Sequence, residues 1–379
     1  MWNAKRPILI ITLICAVMVP VCSARSKAKS KKPTAFELLD RYEETQAKIR
    51  SSFISKHETA VKWEGYDKLK PNIKKGLLYE RHIKVELCSD GTKYYSFFKQ
   101  WGDKPGGLPT TEERAGIVQV LWDGEARYQY MYSPDIYMYT PDISAKARLE
   151  NGRLFLTPKA MVTSPPNRIC DAAEGGQLRG FFYGSNERID SDIRQAETIS
   201  LQHKTEKING SQCYVINART KRCKYKIWID PEHDYHIAKA RVNRKWGSAS
   251  RPEKRRMKPP DGTSQNVMEN VLFKKVNNIW LPVECDYTLN VELVGGAYSR
   301  AHYHHKVTEY VVNPDHDALG SFEPDFIRDG AVVKLIGVRG ISYTWQDGKV
   351  VDKKGREVDV DKLIKAESEK VKKPKPKRK

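Results

Sequence analysis

Asp230, Glu232, His233, Asp234 and His236 fall within seven positions of the stretch YKIWIDPEHDYHIAKARV, Tyr225 to Val242. Carboxylates and imidazoles at that density are the raw material of a metal centre or an acid–base site. A metal would need Asp230, His233 and His236 to converge, with further groups orienting them. The pattern around them points elsewhere. Tyr225, Ile227 and Ile229 share one strand face, Lys224, Lys226, Trp228 and Asp230 the other, and Tyr235 and Ile237 begin a return strand. Asp230-Pro231 opens turns well, because the Asp side chain bonds amides ahead of it and Pro fixes φ. The stretch reads as a metal-free hairpin with Glu232, His233 and Asp234 at a solvated tip. His302 and His304 of HYHH also share one strand face, without an identifiable third ligand.

Other chemistry is absent from the motifs. The chain has no GxSxG elbow, no HExxH helix and no phosphate-binding glycine loop, and its 47 acidic residues make some pairing inevitable. No catalytic residue, metal ligand or cofactor is assigned, and the expected protein is not an enzyme. Cys88, Cys170, Cys213, Cys223 and Cys285 make an odd set with no CxxC pair, so a disulfide framework is not expected. Cys213 and Cys223 flank a predicted hairpin turn and would pair only if the register set them opposite.

The elements that would position a site can be read from the two ends inward. Lys5 and Arg6 precede the apolar run ILIITLICAVMV and the small-residue stretch VCSAR, the arrangement of a Sec-type signal peptide (1–24). Twelve such residues are too few to span a bilayer, which takes about 20. The expected location is therefore the periplasm or another extracytoplasmic envelope space. The net charge of +20 is concentrated in a basic linker (25–32), a basic loop (243–265) and a Lys/Pro-rich tail (359–379) read as disordered. Outside the cytoplasm such charge meets anionic envelope surfaces, not nucleic acid.

Between these, Thr34 and Glu37 form a capping box for a helix in which Phe36, Leu39, Tyr42, Ile49 and Phe53 recur at helical spacing. The rest reads as strands rich in Tyr, Val, Ile and Phe, with hairpin turns at Asp123-Gly124 and Asn209-Gly210. RLFLTPKAMV (153–162) reads as a short helix or turn within an insertion at about 144–197, and the segment after Pro324 as one or two appended hairpins. The expected class is mainly β (α+β), an antiparallel sheet curled around one helix. An outer-membrane barrel fits poorly, since charges occupy both faces of many strands.

Three segments carry a resemblance. LWDGEARYQYMYSPDIYMY, EKINGSQCYVINA with KYKIWIDPEHDYHIAKARV, and VNNIWLPVECDYTLNVEL with KVTEYVVNPDHDALGSFEPDF are similar to strand pairs of the LolA/LolB/RseB-like superfamily. The Thr34-capped helix sits where that family places its first helix. The resemblance implies a half-barrel domain (33–326), an incomplete antiparallel β-barrel or half-pipe wrapped around helices, followed by a C-terminal β extension (327–358). It also implies an apolar cavity for the acyl chains of a lipid or lipoprotein, which works by differential affinity rather than covalent chemistry. The family's cavity arginine maps onto no residue here.

The alternation sets that would line such a cavity are Ile83, Val85 and Leu87; Tyr95 and Phe97; Tyr128, Tyr130 and Tyr132; and Ile227 and Ile229. The same pattern suits a filled core. Five tyrosines between Tyr128 and Tyr139 make the set more polar than an acyl chain needs. A carrier of lipid or lipoprotein, a regulatory or sensor protein of RseB type, and an envelope enzyme are the three readings, in that order.

Overall fold

The computed structural model describes residues 32–66, 78–103, 109–132, 151–159, 162, 175–183, 187–246, 262–338, 341–363 and 365. The chain divides into two units, Met1–Pro33 and Thr34–Lys379, and every described helix and strand belongs to the second. The expected signal peptide, the end of the LWDGEARYQYMYSPDIYMY segment (133–139), Cys170, most of the basic loop and the tail beyond 365 lie outside the described residues. Among those described, no helix is long and apolar enough to cross a membrane.

Helix α1 (Ala35–Arg50) begins as its sequence dictates. Thr34 Oγ1 accepts from the Glu37 amide at 3.2 Å, and the Glu37 carboxylate accepts from the Thr34 amide at 2.5 Å. Its buried stripe is Ala35, Leu38, Leu39, Tyr42, Thr45, Gln46 and Ile49. Phe36, expected inside, is 49% exposed. At 100° per residue it lies roughly 120° from the centre of that stripe.

Seventeen strands follow among the described residues, in one sheet. They are β1 (Phe53–Tyr66), β2 (Leu78–Ser89), β3 (Tyr94–Gly102), β4 (Gly116–Trp122), β5 (Ala126–Tyr132) and β6 (Arg153–Pro158). After a 3-10 turn (Gly176–Arg179) and helix α2 (Ile189–Arg194) come β7 (Thr198–Leu201), β8 (Glu206–Ile208), β9 (Ser211–Arg219), β10 (Cys223–Asp230) and β11 (His236–Trp246). Then come β12 (Gly262–Val276), β13 (Ile279–Leu293), β14 (Tyr298–Val312), β15 (Val332–Leu335), β16 (Tyr343–Gln346) and β17 (Lys349–Val351).

Pairing runs from β6 through β5, β4, β3, β2 and β1, across to β14, and back through β13, β12, β11, β10 and β9. β7 and β8 both pair with β9 at one end, while β15 joins β6 in parallel at the other, followed by β16 and β17. The two ends do not meet among the described residues. The sheet is open, as a half-pipe requires, and one face, the inner one, carries α1.

Two elements depart from expectation. β1 has no counterpart in the sequence reading, because its inner positions Ser55, His57 and Thr59 are polar and hide the apolar alternation, although all are buried. Residues 153–158 form a strand, not a helix or turn. Leu154 and Leu156 alternate into the core, and the partner strands β5 and β15 hold them there. The Asp123-Gly124 and Asn209-Gly210 turns form where expected, with Gly124 at φ 100° and Asn209 and Gly210 at φ 49° and 100°.

Candidate binding site

Strand register divides the expected cavity residues between two faces. On the inner face, Ile227 and Ile229 are fully buried in a cluster with Leu38, Leu39 and Tyr42 of α1 and Ile216, Val242, Met268 and Tyr287 of the sheet. α1 packs here against α2, β7 and β11. This half is filled.

Beside it lies a polar seam. Thr59 Oγ1 meets His305 Nδ1 at 2.9 Å, and Ser55 Oγ bonds His57 Nε2. Tyr287 donates to Asn266 Oδ1 at 2.5 Å, and Tyr310 donates to the Ile49 carbonyl of α1 at 2.6 Å. Burial drives both histidines toward the neutral form, with Arg179 nearby adding to it: His305 is pulled down to about 3 and His57 well below its usual value. Arg188 is held against Asp190, Nε to Oδ1 at 2.8 Å, under the α1 face. Gly180 carries φ 84° and stands against the Tyr42 hydroxyl, a place no Cβ could occupy.

The other half of the inner face is different. Val85 and Leu87 are buried with Phe53, Val61, Ile83 and Tyr94. In register with them run Phe98, Val118 and Met131 on one row, and Val120 and Gln129 on the next. Trp122 sits opposite Tyr94. Phe98, Val118, Val120, Trp122 and Met131 are only half-buried, although they share the face that bears α1. Arg127 and Arg153 flank this strip at opposite ends.

Tyr95, Phe97, Tyr128, Tyr130 and Tyr132 do not join it. Register places them on the outer face, with Cys88, Leu121, Leu154 and Leu156. The C-terminal segment lies over them. His316 bonds the Ser89 carbonyl at 2.9 Å, Phe322 packs on Cys88 and Leu121, and Phe326 stands 5.5 Å from the Tyr95 ring and 6.3 Å from Tyr130. Trp345 meets Tyr128 edge-on, and Arg328 covers Tyr132 at 4.1 Å. The tyrosines' polarity is used here: Tyr130 donates to the Asn151 carbonyl at 2.8 Å, and Tyr95 accepts from Gln119 at 3.0 Å. Val360 and Leu363 pack on the same cluster, so order continues past residue 358.

Among the described residues, cavities border these surfaces. One of about 850 Å³ lies between β5–β6 and the C-terminal segment, with Tyr128, Leu156, Trp345 and Val350 in its wall. A second, of about 820 Å³, is basic, drawing Arg219, Lys221, Lys224, Lys245 and Arg300 from the ends of β9 to β14. Another, of about 280 Å³, sits at the C-terminal end of α1.

The Asp/His stretch is a hairpin whose tip is exposed at Glu232 and Asp234, while His233 is partly covered and Asp230 and His236 are buried. Asp230 caps the 3-10 turn Pro231–His233 and accepts from the Glu232 amide at 2.9 Å. His233 bonds Asp230 Oδ2 at 2.7 Å and stacks on Phe273 at 4.6 Å. His236 bonds the Trp280 carbonyl through Nε2 at 2.7 Å and meets Gln46 of α1 through Nδ1 at 3.3 Å. Of the three side chains that a metal would need, Asp230 and His233 are bonded to each other, while His236 is held by Gln46 and Trp280. Asp230 and His236 are buried because α1 and the β12–β13 hairpin close over the turn; Thr45 donates to the Asp234 carbonyl at 2.7 Å. Only Glu232 and Asp234 remain exposed. His302 and His304 both approach Asp286, at 3.7 and 3.0 Å, on the exposed face of β14. Among the described residues, no group of three His, Cys, Asp or Glu side chains could hold a metal.

Cys213 and Cys223 are both free and face opposite ways, Cys213 among Val215, Trp228 and Ala238, and Cys223 in the α1 cluster. The register explains it: Lys224 opposes Arg219 and Ile229 opposes Tyr214, so the two cysteines lie at opposite ends of the hairpin. About seven residues of strand, roughly 23 Å, separate them, against the ~7 Å limit of a disulfide.

No protein-family model and no curated protein sequence matches this chain. A solved structure described as the crystal structure of MucB in complex with MucA(peri) is similar over 72% of this chain and 93% of that one, at 10% identity and a TM-score of 0.22. At that identity and TM-score the likeness establishes neither fold nor function for this chain.

Proposed function

We propose that this protein is a non-enzymatic, extracytoplasmic binding protein that shelters the acyl chain of a lipid or lipoprotein on the inner face of β2 to β5. One observation carries the reading. Phe98, Val118, Val120, Trp122 and Met131 form an apolar strip that stays half-buried beside a fully packed core. Val85 and Leu87 supply its floor. Each methylene moved from water onto such a surface gains about 0.8 kcal/mol, so a chain of a dozen carbons has ample drive without any covalent step. Ile227 and Ile229 belong to the supporting core in this reading, and the outer tyrosines to the seat of the C-terminal segment. Location follows the N-terminal signal-like sequence, and the basic tail would meet anionic envelope surfaces.

Protein purified from its own envelope, extracted and analysed by mass spectrometry should carry stoichiometric acyl lipid. A fluorescent fatty acid should bind saturably and be blocked by a folded Val120→Trp variant. A lipid-free protein that binds no probe would sink the carrier reading. A regulatory role on the same fold is the second reading, favoured by the C-terminal segment, which occupies the outer face and adds three strands. Co-purification of a stoichiometric protein partner in place of lipid would select it.

A further inference from the structure

We infer that Arg50 and Arg179 hold the anionic end of the bound acyl ligand, a carboxylate or a phosphate monoester, in the 280 Å³ cavity at the C-terminal end of α1. The inference rests on the acyl-binding reading for its ligand, but its chemistry is separate.

The cavity is built by four parts of the fold. Arg50 and Ser51 come from the end of α1, Phe53 from β1, Ser89 and Tyr94 from the β2–β3 hairpin, and Arg179 from the 3-10 turn. Its described lining therefore contains two guanidinium groups and three hydroxyls, and no carboxylate. Arg179 is 6% exposed, which fixes its position, and guanidinium stays charged in any protein interior. Arg188 stands close enough to matter as well. Burial disfavours the charged form of Arg50, as do the neighbouring Arg188 and Arg179, with Tyr42 and Asp190 opposing them in part, and Arg50 Nε donates to the Gln46 carbonyl at 3.1 Å. An anion between Arg50 and Arg179 would relieve that crowding, and the planar fork of each guanidinium suits carboxylate or phosphate oxygens.

Size and continuity narrow the ligand. At ~30 Å³ per water, the cavity holds about nine waters, enough for one small anionic group and part of its shell but not a polymer. Phe53 and Tyr94 also belong to the cluster of Val85 and Leu87, and Tyr94 lies opposite Trp122 of the apolar strip. A charged end in the cavity thus sits beside the surface assigned to the tail. Arg50 also complements the helix dipole, a role that alone would need no cavity and no second arginine.

The test compares three ligands of equal chain length: palmitate, 1-palmitoyl lysophosphatidate and neutral 1-palmitoylglycerol. Their affinities are measured on the full chain, the Arg179→Gln variant and the Arg50→Gln variant, with circular dichroism reporting fold. Inorganic phosphate is tested separately by its effect on the melting temperature. The parent should bind the anionic ligands at least ~10-fold more tightly than the neutral one, as expected for a charge-assisted contact. Either variant should lose that preference while keeping its affinity for 1-palmitoylglycerol. The relative strength of palmitate and lysophosphatidate assigns carboxylate or phosphate. Equal binding of charged and neutral ligands by the parent, or a preference that survives in a folded variant, overturns the inference and leaves the acyl reading standing. If no acyl ligand binds, that reading fails. Stabilisation by phosphate that Arg179→Gln abolishes would then still support the anion cavity, and its absence would overturn that too.

Discussion

Acid should destabilise this protein well above the range in which its carboxylates titrate. His57, His236 and His305 are buried, and burial is the largest cause lowering each. His236 is pulled down to about 4 and His305 to about 3, while His57 falls well below 6.5. His236 also has Asp230, Asp234 and His233 as charged neighbours, and His305 has Arg179, Asp286, His302 and His304. In the unfolded chain each protonates near 6.5, so from there down to about 4 the unfolded state binds more protons than the folded one. Stability then rises with pH, by up to about 1.4 kcal/mol per pH unit for each histidine. Three give a limiting slope of about 4 kcal/mol per unit, large against a total of 5–15 kcal/mol for an ordinary fold. Carboxylates enter only at the acid end of the window. Against the opposing effect of burial, hydrogen bonds hold Asp90, Asp286 and Asp352 below 3.8 and Glu112, Glu113 and Glu206 below 4.5, so their contribution is lost as pH falls below about 5.5, and the histidine slope is read between pH 7.5 and 5.5. Urea unfolding followed by tryptophan fluorescence at pH 7.5, 6.5 and 5.5 would read the slope. His236→Gln and His305→Gln should each reduce it by about 1.4 kcal/mol per unit, whatever they cost at pH 7.5. A midpoint that stays constant between pH 7.5 and 5.5, or variants with the parent's slope, would refute the reasoning.

Ile227→Ala, in the filled half, should cost about 3–4 kcal/mol, and Met131→Ala, half-buried in the strip, under about 1 kcal/mol, by the same urea assay. Tyr130→Ala should cost about 3–5 kcal/mol, since Tyr130 is 2% exposed and bonds Asn151. Truncation after Pro324 removes the partners of Tyr130, Leu154 and Leu156 and the strand paired to β6, and should yield insoluble or protease-sensitive protein in limited proteolysis. Cys88, Cys213, Cys223 and Cys285 are buried, with Cys88 and Cys213 pushed up to about 12 by desolvation, so these four should react with a thiol reagent only after unfolding.

The sequence carries local information well and facial information poorly. The Thr34 capping box, the glycine turns and the alternation of Tyr225, Ile227 and Ile229 against Trp228 all follow from chemistry within a few residues, and all form. β1 is illegible because Ser55, His57 and Thr59 are buried polar residues whose partner His305 lies some 250 positions on. The burial of His236 beside the turn is illegible for the same reason, since Gln46 and Trp280 close over it from distant segments. The cavity set divides for a different reason. Val85 and Leu87 alternate just as Tyr95 and Phe97 do, yet the register of β2 with β3 puts the pairs on opposite faces. A signal is present in the doublets Leu87-Cys88 and Tyr94-Tyr95. Strands apolar at both parities are buried on both faces.

That two-sided burial also accounts for the tyrosines. On a strand of one wet and one apolar face, Tyr128, Tyr130 and Tyr132 would be poor lining for an acyl chain. With the C-terminal segment over them, each finds a use: a hydroxyl bonded to a carbonyl, an edge against Trp345, a ring under Arg328. The opposite face of the same strand then carries Arg127, Gln129 and Met131. Alternation makes the two assignments one choice. Seating the tyrosines outward obliges those three residues to face inward, beside Val118 and Val120. The inner surface of β4 and β5 is consequently apolar at Val118, Val120 and Met131, polar at Gln129 and cationic at Arg127, while the outer surface of the same strands is closed by the C-terminal segment.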